Sequence, residues 1–193
     1  MDAAVTQCQA AERIDDVTGI SRAFCSKGAL TIMLIFLDTE FSSLQQKKPK
    51  LLLLGLISED SRDWYGELSD GWSLEACHPF VVDNVLPLFT GPKIKRSSAR
   101  RSLSAWIKQF QQAVTLACDW PMDFRLVLDL LGNPPANLAL DYYDLALLLD
   151  VEVYSAGANR YYTRSRPPHH ALHDARANRL GWLAWKSAER AER

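Results

Sequence analysis

The apolar run from Ile32 to Leu37, which ends in the acidic pair Asp38 and Glu40, constrains the fold of this chain more than any other feature. A continuous run of branched and aromatic residues is typical of a strand buried on both faces, and so of a central strand. Because side chains alternate along a strand, Asp38 and Glu40 project to one face and Thr39 to the other. Two adjacent carboxylates need compensating cations or protons, and Mg²⁺ prefers oxygen ligands. The pair indicates a metal site, although an isolated Asp-x-Glu also fits a strand that runs out into solvent.

The composition is that of one ordinary globular domain, with 193 residues, 48% of them hydrophobic and 23% charged. A formal net charge of −1 gives no overall attraction to polyanions, so any contact with nucleic acid must come from local basic patches. The cysteines show neither zinc-site spacing nor a disulfide framework, which favours a reduced compartment; they are Cys8, Cys25, Cys77 and Cys118. The first residues lack the pattern of a signal peptide, and no segment reaches the length of a membrane span, so we expect a cytoplasmic location without membrane contact.

The order of predicted elements indicates an α/β protein with a mixed sheet and flanking helices. Residues 1–30 are polar and predict a poorly ordered N-terminal extension, followed by a single domain over residues 31–193. The apolar patterns predict strands at 32–37, 51–58, 64–68 and 114–117, helices at 101–110 and up to Leu131, and a final helix over about 169–189. Residues 81–89 could be helical, and residues 138–149 could hold a strand and a helix.

Two further acidic positions could complete a metal site. Asp123 is predicted in the first turn of a helix that Pro121 opens, and Asp119 lies just before it at the end of a strand, so either is a candidate. A histidine cluster before the last helix, His169 and His170, precedes Asp174 by five and four residues. A neutral imidazole beside a metal centre can accept a proton from water.

This arrangement resembles the DEDD exonucleases of the ribonuclease-H-like fold, in the subclass with a histidine five residues before the last aspartate. Asp38 to Phe41 looks like the first motif, Asp123 like the second acid, and His169 with Asp174 like the third motif. The resemblance covers about residues 33–185 and is nearest to small stand-alone bacterial 3'-5' exoribonucleases. It implies a ribonuclease-H-like mixed sheet flanked by helices.

The resemblance also implies a function, namely hydrolysis of phosphodiester bonds from the 3' end by a two-metal mechanism, with release of nucleoside 5'-monophosphates. Two Mg²⁺ or Mn²⁺ ions would be bound by four carboxylates, with His169 as the general base; the carboxylates are Asp38, Glu40, Asp123 and Asp174. The expected substrate is single-stranded RNA, or DNA, with a free 3' end, and a homodimer is compatible with the family. Phe41 and Leu44 resemble residues that pack on terminal bases, and Arg164 and Arg166 are expected near the phosphates. The alternative is a catalytically silent nucleic-acid-binding module on the same fold.

Overall fold

The computed structural model of the protein describes residues 32–192, so the predicted extension over residues 1–30 lies outside the described residues. Six strands form one mixed sheet in the order β4-β3-β2-β1-β5-β6. They are β1 (Met33–Phe41), β2 (Leu51–Ser58), β3 (Asp63–Leu68), β4 (Lys93–Ile94), β5 (Val114–Cys118) and β6 (Leu138–Asp144). β1 pairs antiparallel with β2 and parallel with β5, which confirms that the acidic strand is central.

Within the described residues, five α-helices flank the sheet, so the fold class predicted from the sequence is confirmed. They are α1 (Pro79–Asn84), α2 (Arg96–Ile107), α3 (Pro121–Leu131), α4 (Glu152–Asn159) and α5 (Ala171–Ala191). Short 3₁₀ turns cover Leu74–Ala76, Leu86–Leu88 and Leu145–Leu148. None of the helices over residues 32–192 combines the length and apolar character that crossing a bilayer requires.

The two faces of β1 build two parts of the core. Ile35 and Leu37 are fully buried on the face that α2 and α3 cover. Phe36 packs on the other face against Trp182 of α5, with ring centroids 5.4 Å apart. The continuous apolar run therefore exists because both faces are covered by helices.

Two glycines fix helix positions that matter for the site. Gly55 pairs with Asp38 across β1 and β2, and a β-carbon on Gly55 would collide with the backbone of Leu172 at the start of α5. The missing side chain therefore lets α5 begin directly over the acidic end of β1. Gly132 ends α3 with a φ of 66°, a conformation that favours glycine.

Several predicted boundaries differ from the observed ones. The segment predicted to be helical over residues 81–89 is divided between α1 and a 3₁₀ turn at Leu86–Leu88. The helix predicted at 101–110 begins earlier, at Arg96, and the strand and helix expected within 138–149 are β6 and a 3₁₀ turn. α4 and the two-residue β4 had no separate prediction.

Candidate active site

Three carboxylates meet at the end of β1. Asp38 and Glu40 come from the strand itself, and Asp174 comes from the first turn of α5. One carboxylate oxygen from each lies within 4.8 Å of the others. The alternation of β1 brings the first two together, and the close approach at Gly55 brings the third.

A second group shares one of these residues. Asp38 also lies with Asp119, at the junction of β5 and α3, and with Asp123 in the first turn of α3, again within 4.8 Å. The two candidates that the sequence left open for the second acid are thus both present, and Asp38 belongs to both groups. Five carboxylates, rather than the four of the sequence prediction, converge here.

Two hydroxyl groups orient the acids. The Thr39 hydroxyl donates a hydrogen bond of 2.6 Å to Asp123 Oδ1, and the Tyr162 hydroxyl donates one of 2.8 Å to Asp174 Oδ1. Each bond fixes one carboxylate oxygen of its acid. Outer-shell bonds of this kind hold metal ligands in position in metalloproteins.

Burial and mutual repulsion raise the pKa values of the acids in this site. Burial, followed by the charges of Asp174 and Asp123, raises the pKa of Glu40 to about 8. Burial also raises the pKa of Asp123 to about 7, against the opposing effect of the Thr39 hydrogen bond. Burial and the neighbouring carboxylates raise the pKa of Asp38 well above its ordinary value. The acids therefore bind protons that a positive ion would displace.

The donor set fits hard divalent cations. Every candidate ligand is a carboxylate, which is the donor type that Mg²⁺ and Mn²⁺ take, and the two groups share one residue. No histidine or cysteine belongs to either group within residues 32–192. The cluster could therefore hold divalent metal ions, with Asp38 between two positions.

The two neighbouring histidines have different environments. His169 is exposed, lines the same cavity as the acids, and adopts a φ of 63° that is uncommon outside glycine. His170 is buried between two rings, with centroids 4.9 Å from Tyr65 and 4.1 Å from His173. Burial first, and then the charge of His173, lowers the pKa of His170. Of the two candidates, only His169 faces the carboxylates.

Apolar and aromatic side chains surround the acids in a cavity of about 530 Å³. Phe41 and Leu44 line it, and their predicted contact with terminal bases stays a prediction. Trp120 and Phe80 line it too, and the sequence analysis did not select either; both are nearly half exposed. Trp120 contacts Phe41 edge to face with centroids 5.8 Å apart. The volume is in the usual range for sites of small ligands.

The two arginines expected near the phosphates are not part of this cavity. Arg164 and Arg166 are exposed on the segment before His169, and neither lines the cavity. The Arg166 guanidinium lies over the Tyr161 ring, 4.6 Å from its centroid. Their contact with substrate stays a prediction.

Comparisons with known proteins agree with the fold. Neither a family model nor a curated protein sequence matches the chain, whereas 68 chains of solved structures do. Among them is the nuclease domain of 3'hExo, a DEDDh family member, bound to rAMP; its TM-score is 0.59 over 81% of this chain and 92% of that one, at 9% sequence identity. The predicted nearness to small bacterial exoribonucleases stays a prediction. The chain has the ribonuclease-H-like fold of a DEDDh nuclease domain.

Proposed function

We propose that this chain is a metal-dependent 3'-5' exonuclease that acts on single-stranded RNA and releases nucleoside 5'-monophosphates. The observation that carries the proposal is the position of Asp38, which belongs to two groups of carboxylates on the wall of one cavity. Hydrolysis of phosphodiesters by two metal ions needs two adjacent cation positions, and a carboxylate common to both is suited to it.

The protein would hold two divalent cations, Mg²⁺ or Mn²⁺. Their ligands would be Asp38, Glu40, Asp123 and Asp174, and Asp119 lies close enough to join the second group. When bound, the ions neutralise the converged carboxylates and stabilise negative charge that develops on the phosphate. Thr39 and Tyr162 keep the acids of α3 and α5 in position through their hydrogen bonds.

His169 would act as the general base. Its imidazole is exposed to the cavity, so it can accept a proton from the attacking water and release it to solvent. Phe80 contacts the ring edge to face, with centroids 5.1 Å apart, and so limits its orientation. The stack of Tyr65, the buried His170 and His173 anchors the following residues of the backbone.

The cavity wall supports a substrate with unpaired bases. Phe41, Trp120 and Phe80 offer aromatic surface, and stacking on aromatic side chains is available to every base that is not held in a duplex. A free 3' end would bring its terminal nucleotide against this wall and its last phosphodiester against the acids. The rAMP in the nuclease domain of 3'hExo supports RNA as the substrate.

Digestion of 5'-labelled RNA and DNA, each in single-stranded form with Mg²⁺ or Mn²⁺, tests the proposal. We expect the wild type to shorten RNA stepwise from the 3' end, and Asp38→Asn to abolish the shortening. Asp129→Asn is the matched control, because Asp129 is exposed on α3 and outside the carboxylate groups. RNA that binds without any metal-dependent cleavage would favour a silent binding module instead.

A further inference from the structure

Positive charge is segregated in one segment of the chain. Residues 84–118 contain six of the 22 basic residues and none of the 23 acidic ones, which leaves the rest of the chain with a formal charge of −7. A net charge near zero therefore conceals a strongly basic region. Such asymmetry is typical of proteins that contact polyanions through one surface.

The exposed side of α2 concentrates this charge. Arg100, Arg101 and Lys108 line a shallow cavity of about 500 Å³, whose other wall is the end of α3 at Gly132 and Asn133. The lining contains no acidic and no aromatic side chain. Its chemistry therefore suits phosphate groups rather than bases.

The three cations are not neutralised by neighbours. Among residues 32–192, neither Arg100, Arg101 nor Lys108 forms an ion pair. Arg100 donates through Nε to the Leu130 carbonyl, 2.7 Å away, which fixes its guanidinium beside Gly132. Its two terminal nitrogens remain for an anion.

This surface is separate from the carboxylates. Asp123 lies in the first turn of α3 and Gly132 ends the same helix, so about 14 Å of helix separate them. A single strand of nucleic acid longer than a few nucleotides could reach from one to the other. A second contact on the same strand would raise affinity without any change in the catalytic cavity.

We infer that the basic surface formed by Arg100, Arg101 and Lys108 binds the phosphate backbone of single-stranded RNA at a distance from its 3' end. The inference rests on the proposed function, because the partner is the strand whose end is in the catalytic cavity. The surface would make long substrates bind more tightly than short ones, independently of their sequence.

The test compares Arg101→Gln/Lys108→Gln with wild type, and leaves Arg100 intact because of its bond to α3. The matched control is Arg160→Gln/Arg190→Gln, which removes two exposed cations, one directly after α4 and one in α5, on the other face of the sheet. Fluorescence anisotropy in EDTA measures binding of labelled RNAs of about 4 and about 20 nucleotides over a range of salt concentrations.

For the longer RNA, we expect the double variant to lose affinity by roughly tenfold at low salt, and its logarithmic salt slope to fall by about 1.4. The short RNA and the control variant should bind as the wild type does. Unchanged binding of the long RNA, or an equal loss for both lengths, would overturn the inference.

Turnover separates this inference from the proposed function. If the wild type binds long RNA through this surface but cleaves nothing in Mn²⁺, the proposed exonuclease activity is refuted and RNA binding by the basic surface is supported. If the wild type degrades RNA and the double variant degrades long strands with an unchanged KM, RNA binding by the basic surface is refuted and the exonuclease activity is supported.

Discussion

The converged carboxylates should make the metal-free protein less stable at alkaline pH, so we expect Asp38→Asn to stabilise it. Asparagine keeps the shape of the side chain and removes the charge that both carboxylate groups share. The folded protein raises the carboxyl pKa values, so it binds more protons than the unfolded chain between about pH 4 and pH 8. The stability of the wild type must therefore fall as pH rises through that window, and this decrease should be smaller in the variant.

The size of the effect follows from the distances. Two ionised carboxylates at 4.8 Å, the upper limit of the distances within each group, repel by about 3.5 kcal/mol at an effective dielectric constant of about 20. Partial protonation of Glu40 and Asp123, with pKa values of about 8 and about 7, relieves some of this repulsion. We expect Asp38→Asn to raise the free energy of unfolding by about 2–4 kcal/mol at pH 8, and by less than about 1 kcal/mol at pH 4.

Thermal unfolding in EDTA across this pH range measures the effect. For a chain of this length the gain corresponds to roughly 4–16 °C in Tm at pH 8. With Mn²⁺ at about 100 times its Kd the order should reverse, because the wild type gains about 2.7 kcal/mol from each bound ion and the variant does not. Asp129→Asn should follow the wild type throughout. A variant that is destabilised at pH 8 in EDTA, or whose advantage does not change with pH, would refute the electrostatic reasoning.

Three other substitutions separate roles within the site. Tyr162→Phe removes the hydrogen bond to Asp174, so we expect Mn²⁺ affinity to fall about 10-fold or more in a calorimetric titration; an unchanged affinity would mean that the bond does not position the ligand. His169→Asn should lower kcat by about 10²-fold or more without loss of Mn²⁺ binding, whereas His170→Asn should lower the Tm, because His170 is the buried one. A larger loss of kcat in His170→Asn at equal stability would reverse the assignment.

Local signals in the sequence predicted the central part of the fold correctly. The apolar run before Asp38 indicated a central strand because both faces of β1 are covered by helices. Pro121 and Gly132 marked the ends of α3, since proline suits a first turn and glycine adopts the positive φ that ends the helix. These features depend on residues close together in the chain.

Features set by contacts between distant segments escaped prediction. α4 buries only Tyr154 and Gly157, and its position depends on close packing of Gly157 against α5 near Gly181. The buried face of α4 therefore shows little of the apolar periodicity that predicts a helix from sequence. The bond from Tyr162 to Asp174 joins an irregular segment to a helix, so no spacing rule indicates it.

The positions of the alternative residues within the site also depend on tertiary packing. Asp119 and Asp123 are four residues apart across the turn from β5 into α3, and the fold brings both within reach of Asp38. His169 and His170 are adjacent, yet one faces the cavity and the other stacks on Tyr65 of β3. The position of β3 relative to this loop depends on contacts between distant segments, which no local sequence pattern indicates.

The most direct measurement is a titration of the protein with Mn²⁺, followed by electron paramagnetic resonance at about pH 8. We expect two ions to bind per wild-type chain, both to be lost or greatly weakened in Asp38→Asn, and both to be retained in Asp129→Asn. Binding of two ions with unchanged affinity in Asp38→Asn, or no specific binding in the wild type, would contradict the shared-carboxylate metal centre.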